Sequence, residues 1–125
     1  MAMRRTELPE ELRQLLPLTP AVFYVLFSLA DGEKHGYAIM QEMATLSEGK
    51  FRMGPGTLYT TLQRLLDLGL IEEVAGTGAA ADHDSRRRYY RLTGTGKVLL
   101  ESEIGRMDSV VRLARRRKLI PGTAG

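Results

Sequence analysis

The sequence predicts a mainly α-helical chain carrying one small β-hairpin and a long C-terminal helix, and three observations support this. Proline-marked helix starts occur at Thr19-Pro20 and Gly54-Pro55, each followed by apolar residues at helical spacing. Two short β-prone runs, residues 70–74 and 87–92, flank a small, polar stretch. Beyond Thr93, apolar residues return every three or four positions towards Leu119.

Composition sets the outer bounds. At 125 residues, 43% of them hydrophobic and 26% charged, the chain fits one domain with a modest core. So short a chain leaves much surface uncovered, and an apolar face left over is readily buried against a second subunit. The formal charge of +3 favours polyanionic partners without requiring them. The absence of cysteine excludes disulfides, thiolate zinc sites and cysteine nucleophiles, and suits a reducing compartment. No run approaches the length of a membrane span, and the first ten residues do not resemble a signal peptide. The expectation is a soluble, cytoplasmic protein without membrane contact.

Taken in order, a short helix is expected over residues 9–16, with Leu8, Leu12, Leu15 and Leu16 on one side. Thr19 then serves as N-cap to a helix whose Val22, Phe23, Val25, Leu26 and Leu29 are apolar over so broad an arc that the element must be central; it ends near Asp31-Gly32. A second helix starts around His35-Gly36-Tyr37 and runs to about Leu46, with Gly49 closing it. The third spans about 55–68, between Pro55 and Gly69. Strands over 70–74 and 87–92 form a hairpin with a long tip, and Thr93 or Thr95 caps the last helix.

Three helices followed by a hairpin is the order of a winged helix-turn-helix, in which the third helix enters the major groove of DNA and the hairpin reaches the flanking backbone or minor groove. On that helix Leu58, Leu62, Leu65 and Leu66 share one arc, with Gly56, Thr57, Thr60, Gln63, Arg64 and Asp67 opposite. Small residues at a helix N-terminus admit a phosphate to free amides, threonine hydroxyls suit phosphate or base edges, and Gln63 and Arg64 suit bidentate base contacts. The same periodicity also fits the solvated side of an amphipathic helix. In the hairpin, Arg86, Arg87, Arg88 and Arg91 interleave with Tyr89 and Tyr90. With arginine on both faces the strand is expected at an edge, lying along phosphate with one tyrosine inward and the other free to bond it. A charged edge that merely resists aggregation is the alternative.

The residues His35-Gly36-Tyr37-Ala38-Ile39, Gly56-Thr57-Leu58-Tyr59 after Phe51 to Pro55, Leu62-Gln63-Arg64-Leu65, Gly69-Leu70-Ile71 and Arg88-Tyr89-Tyr90-Arg91-Leu92-Thr93 together resemble the PadR family of transcriptional regulators over about 18–100. The resemblance implies an N-terminal winged domain, a C-terminal dimerisation helix and, usually, repression relieved by a ligand or signal. It implies that Thr57, Tyr59, Thr60 and Arg64 belong to the groove-facing helix, Tyr37 to the start of the supporting helix, and Arg86 to Arg88 to the wing. Tyr59 sits at the flank of its helical wheel, where it can pack against the hairpin and offer only its hydroxyl. The alanine-rich wing tip and the short segment after Thr93 depart from the commoner pattern of the family.

In the last helix Leu100, Ile104, Met107, Val111 and Ala114 recur at alternating spacings of four and three, a coiled-coil-like seam. Its expected use is pairing with a second copy; folding back on its own domain is the alternative. A small hydrophobic effector is implied by the resemblance only. With no tryptophan, Phe23, Tyr24, Phe27 or Met107 would have to receive it, and such residues are more often core. The expected divisions are 1–17 (a helical segment and possible dimer contact), 18–93 (the winged domain), 94–119 (the pairing helix) and 120–125 (a disordered tail). No catalytic residue, metal site or cofactor is expected: the only two histidines, His35 and His83, are far apart, and Asp82-His83-Asp84 reads better as a polar loop tip than as a weak metal site. The expected partners are therefore double-stranded DNA and a second copy of the chain, with a protein-docking winged helix as the other reading.

Overall fold

A computed structural model describes residues 8–75 and 88–121. The N-terminal segment forms only a four-residue helix, α1 (Glu10–Arg13), in place of the expected eight residues, yet Leu8 and Leu12 are both buried in the core. The Thr19 side chain accepts from the Val22 amide at 3.3 Å and starts α2 (Pro20–Ser28), with Pro20 at the first position where its missing donor is harmless. This helix is the centre of the domain: Val22, Phe23, Val25 and Leu26 are buried on most of its circumference, and Ser28 satisfies its buried hydroxyl on the Val25 carbonyl at 2.7 Å.

A two-residue strand that the sequence did not signal, β1 (Lys34–His35), precedes α3 (Gly36–Leu46). His35 is the N-cap of α3, its Nδ1 accepting from the Ala38 amide at 3.2 Å. Helix α4 (Pro55–Asp67) buries Leu58, Leu62 and Leu65, and then β2 (Ile71–Val74) and β3 (Tyr89–Leu92) run antiparallel. The sheet order is β1-β3-β2, with Lys34 opposite Tyr90 and Glu72 opposite Arg91. The arginine-bearing strand is therefore central rather than at an edge, because the missed β1 supplies its second neighbour. Both of its tyrosines are buried: Tyr90 lies in the core, and the Tyr89 and His35 rings stand nearly perpendicular with centroids 5.4 Å apart. Thr93 caps the long helix α5 (Gly94–Arg116), its hydroxyl accepting from the Gly96 amide at 3.1 Å.

Helix ends follow local stereochemistry. At the end of α4 the Gly69 and Leu70 amides bond back to the Leu66 and Leu65 carbonyls, with Gly69 at φ +73°. The end of α3 makes the same pair of bonds through Glu48 and Gly49, but here the first left-handed residue is Glu48, at φ +55°. A side chain there crowds the following carbonyl. Glu48→Gly is therefore expected to stabilise the fold by about 0.5–1 kcal/mol, read as a rise in the thermal unfolding midpoint. An unchanged or lower midpoint would count against this reading of the cap.

Candidate nucleic-acid interface

The buried leucines of α4 turn Gly56, Thr57, Tyr59, Thr60, Gln63 and Arg64 to solvent together, and all six are exposed. The start of this helix is open. Gly54 supplies no side-chain cap, and a Cβ at Gly54 or Gly56 would meet nothing within 4 Å. Since Pro55 has no amide hydrogen and the first backbone bond of the helix begins at the Leu58 amide, the Gly56 and Thr57 amides lack intrahelical partners and suit an anion at the positive end of the helix dipole. The threonines are less free than their type suggests: Thr60 donates to the Gly56 carbonyl at 3.1 Å, so that its oxygen remains available only as an acceptor.

Further along the same face, Tyr59, Thr60, Gln63, Arg64 and Asp67 line an open depression of about 510 Å³. Gln63 Nε2 donates to Asp67 at 3.0 Å, while no ion pair holds Arg64 among the described residues. Tyr59 takes the flanking place that the helical wheel gives it. Its hydroxyl lies over Gly36, where a Cβ would come within 3.2 Å of it, so the tyrosine braces α4 against the start of α3. Tyr90 is close by. Burial first, then the Glu73 carboxylate and Tyr59, push its phenol above the usual value, with Arg88 pulling the other way.

On α3, Tyr37 is 63% exposed and shares a second open depression with Met40, Gln41, Ala44, Arg52 and Met53. Arg52, on the approach to α4, is a cation that periodicity does not pick out, because it belongs to no regular element. In the wing, Arg86 and Arg87 lie outside the described residues. Arg88 is exposed and 3.9 Å from Glu73, and Arg91 pairs with Glu72 at 2.6 Å across the sheet. Exposed pairs of this kind contribute about 0–1 kcal/mol, so either arginine can exchange its carboxylate for phosphate.

The expected seam on α5 divides in two. Leu100 is a correction: at 3% exposure it closes the core of its own domain and offers nothing to a partner. Ile104 and Val111 are exposed, Met107 is half-buried against the core, Ala114 is half-buried, and Val110 and Leu113 extend the outward apolar surface. Of the candidate effector residues, Phe23 is core, in edge contact with Tyr24 at 5.1 Å and tilted against Phe27 at 5.5 Å. Tyr24 in turn stacks on Phe51 at 5.7 Å, and Tyr24 and Phe27, like Met107, are half-buried.

Among the described residues no group of three or more histidines or carboxylates could hold a metal ion, and no helix is long and apolar enough to cross a membrane. The Asp82-His83-Asp84 loop lies outside the described residues, as do residues 122–125 of the expected tail.

Residues 25–102 match the family model described as the transcriptional regulator PadR-like family. A transcriptional regulator, Rv3488, from Mycobacterium tuberculosis is 36% identical over 91 residues, covering 71% of this chain and 77% of its own. An uncharacterised 37.1 kDa protein in transposon TN4556 of Streptomyces fradiae is 38% identical over 96 residues, 77% of this chain, but the match spans only 24% of that protein. Bacillus subtilis PadR, solved in complex with operator DNA, shares the fold with a TM-score of 0.56 at 22% identity, over 72% of this chain and 48% of that one.

Proposed function

The chain belongs to the transcriptional regulator PadR-like family, and from that premise we propose that it is a sequence-specific DNA-binding repressor acting as a homodimer on an inverted-repeat operator. The observation that carries the proposal is the outward face of α4, whose uncapped start, threonines, Gln63 and Arg64 form one exposed surface, with Arg64 in no ion pair among the described residues. The winged unit over 18–93 reads and holds DNA; the helix over 94–119 pairs subunits. In the pair, Ile104, Met107, Val111 and Ala114 face the second copy, joined by Val110 and Leu113. A two-fold pair presents two α4 helices to one side of the duplex, with half-sites about 34–36 Å apart. Tyr37 and Tyr59 add hydroxyls at the flanks, and Arg86, Arg87 and Arg88 bind backbone. A small hydrophobic effector entering beside Tyr24, Phe27 and Met107 would change the angle between α2 and α5 and release the operator. The same chemistry supports a regulator with no catalytic role, working in the cytoplasm.

Anisotropy titration on duplex DNA from upstream of the chain's own reading frame tests this. Binding is expected with a steep inverse salt dependence, and Arg88→Ala flattens the log–log slope by about one. Arg64→Ala is expected to weaken the preferred duplex by roughly 1–3 kcal/mol while leaving dimerisation intact. A chain that dimerises yet has no nucleic-acid affinity would be a protein-docking winged helix instead.

A further inference from the structure

Asp67 is out of place on three counts. It is the last residue of α4, where the helix dipole disfavours an anion; aspartate is a weak helix former; and its face is the one proposed to meet polyanionic DNA. Its one side-chain hydrogen bond among the described residues is the one it accepts from Gln63 Nε2 at 3.0 Å. A carboxylate can only accept, so the NH2 of Gln63 must face it, and the alternative flip of the amide would set two oxygens against each other. One N–H of Gln63 is thereby committed. Its Oε1 and second N–H remain, held in a fixed order beside Arg64 in the depression that Tyr59, Thr60 and Asp67 complete.

We propose that Asp67 is a specificity-determining positioning residue, which tethers the Gln63 amide so that it presents one acceptor and one donor in a set order to a single base pair. This rests on the DNA-reading function proposed above. An untethered glutamine turns its amide freely and satisfies several base edges nearly equally, whereas a tethered one rejects pairs whose donors and acceptors are reversed. The anion lowers affinity for every sequence and in exchange sharpens the choice among them. The two effects of removing it therefore have opposite signs, which loss of structure alone would not produce.

The test is selection from a pool of random duplexes by the full chain and by its Asp67→Ala, Asp67→Asn, Gln63→Ala and Gln63→Ala/Asp67→Ala forms, with thermal unfolding of each. Asp67→Ala is expected to bind unselected duplex more tightly, to lose roughly tenfold preference at one base pair per half-site, and to unfold no earlier than the parent. Gln63→Ala loses the same base pair, and the double variant loses nothing more. Asp67→Asn, whose amide can accept from Gln63 or, turned over, donate to it, admits both orders and is expected to lose the preference as well. Unchanged preference in Asp67→Ala overturns the proposal, as does uniform loss at all positions. If Asn keeps the full preference, an acceptor-only carboxylate is not what sets the order of the Gln63 amide, and the proposal is likewise overturned. Enrichment of no sequence by the parent chain would overturn the DNA-reading function itself, and this inference with it.

Discussion

Gly96→Ala is expected to unfold the domain or to cost it more than about 3 kcal/mol, lowering the thermal midpoint by roughly 10 °C or more. A Cβ at Gly96 would lie 1.9 Å from the Leu70 carbonyl oxygen and 2.9 Å from its carbon. Both sides of that contact are backbone, so no rotamer change relieves it. The carbonyl cannot easily retreat either, since it accepts from the Thr93 amide at 3.1 Å, while the Thr93 hydroxyl donates to Gly69 at 2.6 Å and accepts from the Gly96 amide. The first turn of α5 is thus bolted to the corner between α4 and β2. Gly105→Ala, on the same helix in open space, is the control and stays folded. A Gly96→Ala protein within about 0.5 kcal/mol of the parent would show that the corner yields, against the low compliance expected of close packing.

That joint links the two ends of the proposed mechanism. Helix α5 carries the surface proposed for pairing, and α4 carries the face proposed for reading DNA. They meet through Gly69, Leu70, Thr93 and Gly96 over a few ångströms of backbone. An effector that tilts α5 would be felt at the C-terminal end of α4, where Gln63, Arg64 and Asp67 sit.

Elements marked by stereochemistry were legible in the sequence. Thr19-Pro20 and Gly54-Pro55 fix the starts of α2 and α4, and Gly69 fixes a helix end, because a proline ring and a left-handed residue leave few alternatives. What escaped depends on contacts between distant residues. Two residues, Lys34 and His35, are too short to show alternation, and only their pairing with Tyr90 and Tyr89 makes them a strand. Without them β3 would be an edge strand with one of its tyrosines outside. The expected α5 seam rests on period alone, yet period does not tell an arc facing the domain from one facing a partner, and Leu100 lies on the domain side of that division. On the face proposed to read DNA the outward residues are all legible from the wheel, whereas the Gln63 to Asp67 hydrogen bond needs side-chain geometry.

Glu103 is the second residue whose loss is expected to be severe. It is fully buried on α5, one turn beyond Leu99 and Leu100 and one turn before Met107, so a charge interrupts an apolar arc. That interruption was the signal available in the sequence. Its carboxylate accepts from the Leu18 amide at 2.5 Å and from Arg106 Nε at 2.5 Å, fastening the segment that leads into α2 to the middle of α5. The pairing holds the Arg106 guanidinium above its ordinary value, chiefly through that hydrogen bond. Glu103→Ala leaves the Leu18 amide without its acceptor, opens a void and frees the segment, at an expected cost of about 2–4 kcal/mol. Glu103→Gln keeps an oxygen for Leu18 and fills the same space, so it should lose markedly less. Urea unfolding of the three proteins side by side separates the contributions. Equal losses for Ala and Gln would assign the effect to the ion pair alone, and a Glu103→Ala protein as stable as its parent would remove this carboxylate from the account of how α2 and α5 are held together.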